Sequence, residues 1–158
     1  MTDYVIAIEG RAAHAGVEPE RGRNAILQAA HTTIALQALN GRWPGVTVNV
    51  GVIHGGTRTN VVAERCELHV DLRSPEAATL DEAAAEVERI LRDPRRPDVT
   101  TTVHANGWHR PMEKGEGGAR LAAIATEVAG ELGFTVRDAA TGGASDANTI
   151  PAAGTPTL

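Results

Sequence analysis

Cys66-Glu67-Leu68-His69-Val70-Asp71-Leu72-Arg73 alternates throughout. Cys66, Leu68, Val70 and Leu72 fall on one side of an extended chain, and Glu67, His69, Asp71 and Arg73 on the other. That period of two predicts a strand with one buried and one wet face, as in an antiparallel sheet covered on one side only. Upstream, Val46 to Ile53 repeats the pattern, with Val46, Val48, Val50 and Val52 on one face and Thr47, Asn49, Gly51 and Ile53 on the other. Gly55-Gly56-Thr57 supplies the turn between them. Cys66 is the single cysteine and reads as a small core residue rather than a nucleophile. It has no intrachain disulfide partner, so a reducing cytoplasm is the expected location.

Working outward, Tyr4 to Glu9 is apolar and β-branched and predicts a first strand ending at Gly10. Pro19 suits an early helical position. Ile26, Ala30 and Ile34, joined by Leu27, Leu36 and Leu39, then predict a helical face as far as Asn40-Gly41. Thr79 and Glu82 have capping-box spacing ahead of Leu80, Ala84, Val87 and Leu91. A turn over Asp93 to Pro97 leads into a fourth strand over Val99 to His104. The order strand, helix, strand, strand, helix, strand predicts an α+β, ferredoxin-like βαββαβ domain over residues 1–107. This is a four-stranded antiparallel sheet with two helices.

Glycines and a proline crowd together between Asn106 and Gly118 and mark a boundary. Leu121, Ile124, Val128 and Leu132 predict one more helix closed by Gly133, then a short strand over Phe134 to Val136 and a glycine loop from Thr141 to Asp146. One helix and two strand scraps bury too little to stand alone, so residues 108–158 read as a partial α/β segment of another domain.

Composition removes several classes of function. Apolar residues make up 42% of the chain but aromatics only 3%, so the core must be built from Ala, Val, Leu and Ile. The net charge is −5, and no basic run is longer than Arg95-Arg96, which argues against a nucleic-acid partner. No apolar run approaches the roughly 20 residues of a membrane span, so no membrane partner is expected.

Four places could carry chemistry. His14 lies between Ala13, Ala15 and Gly16, small neighbours that let an imidazole project from a loop. It can serve as a hydrogen-bond donor to a developing negative charge, or be a turn histidine with no task. Asn60 follows a glycine turn at a strand entrance, and Arg73 ends a strand on its polar face. Together they suit a grip on a carboxylate, against the plainer readings of a turn-stabilising amide and a solvated arginine. The loop Thr141 to Ser145 can offer backbone N–H groups to an anion. In a ferredoxin-like order the second strand lies at a sheet edge, and Thr47 to Ile53 carries no lysine or proline to discourage pairing. It is expected to pair with its own copy, or to be covered by another domain. The six histidines, His14, His31, His54, His69, His104 and His109, show no HxH or HExxH spacing, so no metal site is expected in this chain.

Taken together, five stretches resemble the M20 zinc peptidases, most closely the glutamate carboxypeptidase branch. They are Gly10 to Ile26 around His14, Thr47-Val48-Asn49-Val50-Gly51, Gly55-Gly56-Thr57 with Asn60-Val61-Val62, Val70-Asp71-Leu72-Arg73, and Thr141-Gly142-Gly143-Ala144-Ser145-Asp146-Ala147-Asn148. The resemblance implies a homodimeric hydrolase that cleaves an amide bond next to a free carboxylate, with two zinc ions in the intact enzyme. Residues 1–107 would be its lid and dimerisation domain, and 108–158 a truncated part of its catalytic domain. It implies that His14 stabilises the oxyanion in the partner subunit's site, and that Arg73 holds the substrate carboxylate with help from Asn60, Gly142 and Gly143. The dimer would form through the edge strand Thr47–Ile53 and the first helix. Asp146 is not implied to be a metal ligand, and Ala63 stands where the family commonly has proline. The family's metal ligands are expected outside this chain, which alone would hydrolyse nothing. A stand-alone ferredoxin-like dimerisation or small-ligand-binding module without catalysis is the other reading.

Overall fold

The computed structural model describes every residue except Pro97, Ala144 and Ser145. Strand β1 (Thr2–Glu9) leads through a short 3-10 turn (Pro19–Arg21) into helix α1 (Ala25–Gln37). Strands β2 (Thr47–Gly55) and β3 (Arg65–Arg73), helix α2 (Ala77–Arg92) and strand β4 (Thr100–Trp108) follow. Beyond them lie helix α3 (Glu116–Glu131) and 3-10 turns at Asp146–Asn148 and Pro151–Ala153. The sheet order is β2-β3-β1-β4 and every pairing is antiparallel, which is the ferredoxin-like arrangement expected from the order of elements. No helix among the described residues is long and apolar enough to cross a membrane.

The inward residues of the central strands form the core. Tyr4, Ile6 and Ile8 of β1 and Cys66, Leu68, Val70 and Leu72 of β3 are all buried, as the alternation of β3 requires. Ala25, Ala29 and Leu36 of α1 and Leu80, Ala83 and Val87 of α2 cover them. Small residues on both helices let the backbones approach the sheet closely, which is how a chain so poor in aromatics fills its interior.

Several local expectations need correction. The helix does not begin at Pro19. After the 3-10 turn it starts at Ala25, because the Asn24 side chain accepts a hydrogen bond from the Leu27 N–H (3.1 Å) and caps it there. Its buried side is Ala25, Gln28, Ala29, Thr32 and Leu36, while Ile26, Leu27 and Ile34 lie exposed. The sequence carried two apolar stripes, and the one containing polar Gln28 and Thr32 went inward because their polar atoms are satisfied. Gln28 Nε2 donates to Thr32 Oγ1 (3.0 Å), and Gln28 Oε1 accepts from the Arg96 N–H (2.9 Å).

In β2 the alternation breaks. The register shifts between Val50 and Val52, so Gly51 is an extra residue. Val52 therefore stands opposite His69 on the open face and Ile53 opposite Leu68 on the helix side, the reverse of the simple reading. The Thr79–Glu82 capping box does not form: α2 begins earlier, at Ala77, and Glu82 instead accepts from the Trp43 indole N–H (2.9 Å). Phe134 to Val136 is not a strand, since the described residues pair no neighbour beside it. Helix α3 does close at Gly133 (φ +80), with the Phe134 N–H on the Ala129 carbonyl (3.0 Å) and the Gly133 N–H on that of Gly130 (3.1 Å).

Candidate functional site

The sequence-expected residues fall into two pairs. At the end of the sheet where β1 finishes and β3 begins, the backbone ladder continues past the strands. The Gly10 N–H donates to the Glu64 carbonyl (2.7 Å), and His14 forms an isolated antiparallel bridge with Val61. The Val62 N–H donates to the Ala13 carbonyl (2.9 Å) and the Ala15 N–H to that of Asn60 (3.0 Å). His14 and Asn60 are thus held side by side by main-chain bonds that involve neither side chain. Gly10 is required for this approach, because a Cβ there would meet the Arg23 carbonyl oxygen at 1.9 Å.

Both side chains at this end are exposed. The Gly16 N–H donates to His14 Nδ1 (3.2 Å), and Nε2 has no partner among the described residues; nor does the Asn60 carboxamide. A cleft of about 410 Å³ adjoins them between Glu9, His54, Thr57, Val62 and Arg65. Neither His14 nor Asn60 lines it.

The second pair lies at the other end of β3. Arg73 Nε donates to both Asp71 oxygens (2.8 and 3.1 Å), and Nη2 donates to Asp71 Oδ2 (2.9 Å). Its Nη1 donates to the Gly142 carbonyl oxygen (2.7 Å). This side-on fork fixes the plane of the guanidinium. The Asp71 hydrogen bonds and negative charge raise the Arg73 pKa further, so the group stays cationic. Three of its five N–H donors are engaged among the described residues. At Gly142 it is the carbonyl, not the N–H, that turns to Arg73. Gly143 is exposed beside it, and Ala144 and Ser145, which complete the expected anion-binding loop, lie outside the described residues.

The two pairs do not meet. Arg65 pairs with Glu9 at one end of β3, and Arg73 pairs with Thr47 at the other. Nine extended residues span about 26 Å, and His14 lies beyond the near end. One small substrate cannot touch both pairs of a single chain. Sequence reasoning missed Asp71 as the group that orients Arg73, although i, i+2 spacing on a strand face was a readable sign. It also missed Gly16 as the partner of the imidazole, which depends on loop conformation.

Among the described residues no group of three or more His, Cys, Asp or Glu side chains is placed to hold a metal ion. These residues supply no donor set, and no metal chemistry is assigned to them.

The fold is a ferredoxin-like sheet with an open edge strand, and the candidate residues lie at its two ends. Residues 1–99 match the peptidase dimerisation domain, and the chain belongs to the M20 peptidase family. It is 34% identical to YqjE, an uncharacterized protein of Bacillus subtilis (strain 168), over 96% of this chain and 41% of that protein. It is 26% identical to carboxypeptidase G2 of Pseudomonas sp. (strain RS-16), over 97% of this chain and 37% of that enzyme. Its fold superposes on a tripeptidase from Staphylococcus aureus with a TM-score of 0.85 at 26% identity, covering 98% of this chain and 41% of that one. The chain therefore spans about two fifths of the length of these relatives.

Proposed function

We propose that this chain is the lid, with an adjoining part of the catalytic domain, of a homodimeric M20-type hydrolase that cleaves an amide bond next to a free carboxylate. Residues 1–107 form the lid in this reading and 108–158 belong to the catalytic domain. The two zinc ions expected in the intact enzyme would be held by residues other than those described here. A reducing cytoplasm suits its single, buried cysteine.

The observation that carries the proposal is the separation of His14 and Asn60 from Arg73 and Gly142 along β3. Edge strand β2 runs between the same two ends, with Thr47 beside Arg73 and Gly55 beside Cys66. If β2 pairs antiparallel with its own copy across a two-fold axis, the His14 end of one protomer comes beside the Arg73 end of its partner. The pairs that cannot meet within one chain then meet between two. Leu27 and Ile34 of α1 and Val52 and Ile53 of β2 are exposed apolar residues available to such an interface.

In the composite site Arg73, held flat by Asp71, grips the substrate carboxylate through its remaining donors, and Asn60 adds a neutral hydrogen bond. His14 donates through Nε2 to the oxygen of the scissile carbonyl as negative charge grows there, a group set in place before reaction. The test uses the intact enzyme with a panel of N-acyl-glutamates and their α-amides. Turnover that depends on the free carboxylate supports the reading. Turnover indifferent to it, or none across the panel, overturns it.

A further inference from the structure

Whether His14 can act as a donor depends on which ring nitrogen carries the proton, and the loop decides this. The Gly16 N–H points at Nδ1 from 3.2 Å. A backbone N–H can only donate, so Nδ1 must present its lone pair, and a neutral imidazole then carries its proton on Nε2. The loop has little freedom to let go of that contact. The Val17 and Glu18 N–H groups both donate to the His14 carbonyl (3.2 and 3.1 Å), which closes the turn on one side of Gly16. The Ala15 N–H is fixed to the Asn60 carbonyl on the other side (3.0 Å). Gly16 is the one amide left between them, and it faces the ring.

We infer that the Gly16 backbone N–H is a positioning group that holds His14 in the Nε2–H tautomer, so that the oxyanion donor is a neutral imidazole presenting its only proton outward. This rests on the proposed role of His14 and adds the source of its polarity. No proton is transferred: the Nδ1 lone pair accepts, and the Nε2–H bond stays intact while it donates.

The substitutions that separate the amide from the side-chain position are clear. A Cβ at Gly16 would lie 3.7 Å from His14 Cε1 and 3.8 Å from Nδ1, ordinary contact distances, and Gly16 does not have a positive φ. Gly16→Ala therefore keeps both the loop and the N–H, whereas Gly16→Pro removes the N–H alone from the ring's partner set.

The experiment is long-range proton–nitrogen NMR of the 15N-labelled chain at about pH 8.5, where an ordinary imidazole is neutral. His14→Gln identifies the signals, and a five-residue peptide of sequence Ala13 to Val17 gives the unconstrained tautomer ratio. The expected result is a ratio of Nε2–H to Nδ1–H several-fold above that of the peptide in both the native chain and Gly16→Ala, falling to the peptide ratio in Gly16→Pro. A native-chain ratio equal to the peptide's, or a majority of Nδ1–H, overturns the inference. That comparison stands even if Gly16→Pro does not fold. The readout needs no turnover. If His14→Ala leaves the intact enzyme's kinetics unchanged, the proposed function fails while the tautomer ratio does not move.

Discussion

Arg73 donates through Nη1 to the carbonyl oxygen of Gly142, 69 positions later in the chain, at 2.7 Å. The contact joins the last residue of β3 to the glycine loop of the C-terminal segment. With Asp71 on the other side, the guanidinium is held at two places before any substrate arrives. A preoriented fork loses less entropy on binding a carboxylate than a free side chain does. In the intact enzyme Arg73→Ala is expected to lower kcat/KM for a free-carboxylate substrate roughly 10- to 100-fold, the worth of one charge-assisted pair. The α-amide of the same substrate should be affected little. Equal losses on both would mean that Arg73 supports the fold and not the carboxylate.

The split of the site along β3 predicts complementation. His14→Ala and Arg73→Ala versions of the intact enzyme should each be nearly inactive. Mixed in equal amounts, unfolded and refolded together, they should recover about a quarter of native activity, because half of the dimers are hybrids with one whole site in two. If both pairs served a site within one chain, every site in the mixture would keep a defect and nothing would be recovered.

Ile34 is 70% exposed on α1, and a charge there costs the folded monomer little. Ile34→Glu is therefore expected to shift the protein from dimer to monomer by light scattering while leaving its circular dichroism intact. An unchanged dimer would place the interface elsewhere.

Gly10→Ala brings a methyl group against the Arg23 carbonyl oxygen and must displace one of the strands leading to His14. Urea unfolding should show a loss of about 1–3 kcal/mol, the usual range for forced overpacking. Gly41, whose Cβ would meet nothing within 4 Å but whose φ is +83°, should cost less on substitution by Asn, a residue that tolerates that conformation.

Tyr4 is the single tyrosine and is buried in the sheet's helix-facing side. Burial, helped by the negative charge of Glu88, pushes its phenol up to about 12 from an ordinary 10. A raised folded-state pKa means that its contribution to stability is complete below about 10 and is lost as pH rises toward 12. Phenolate absorbance should titrate near that upper value and coincide with alkaline unfolding. A midpoint near 10 in the folded protein would contradict the burial.

The central strands were legible because β1 and β3 are flanked on both sides by other strands, and such positions leave a strict pattern. Edge and helix were less so. The bulge at Gly51 reverses the faces of Val52 and Ile53, and nothing in the alternation of valines announces it. On α1 the more apolar stripe was the wrong one, since Gln28 and Thr32 satisfy each other and go inward, leaving Ile34 for a surface that a single chain does not cover. The candidate residues themselves were readable by type and motif. Asn60 before β3 and Arg73 at its end were readable as opposite ends of one strand, but the placing of His14 beside Asn60 was not, because it depends on how the loop after β1 pairs with the segment before β3.

Gly51 also lies at the midpoint of β2, four positions from Thr47 and four from Gly55. In a strand that pairs with its own copy end for end, the middle position is the only one that faces itself. Every other substitution enters such a seam twice at separate places, but one at Gly51 enters as two identical side chains in contact. A bare glycine there keeps the seam neutral. A single codon change would set a charge against its own image, a thiol against a thiol, or a bulky group against its double. If the assembly forms through this strand, its strength, and with it the fraction of chains that own a complete site, turns on a midpoint residue that has no side chain.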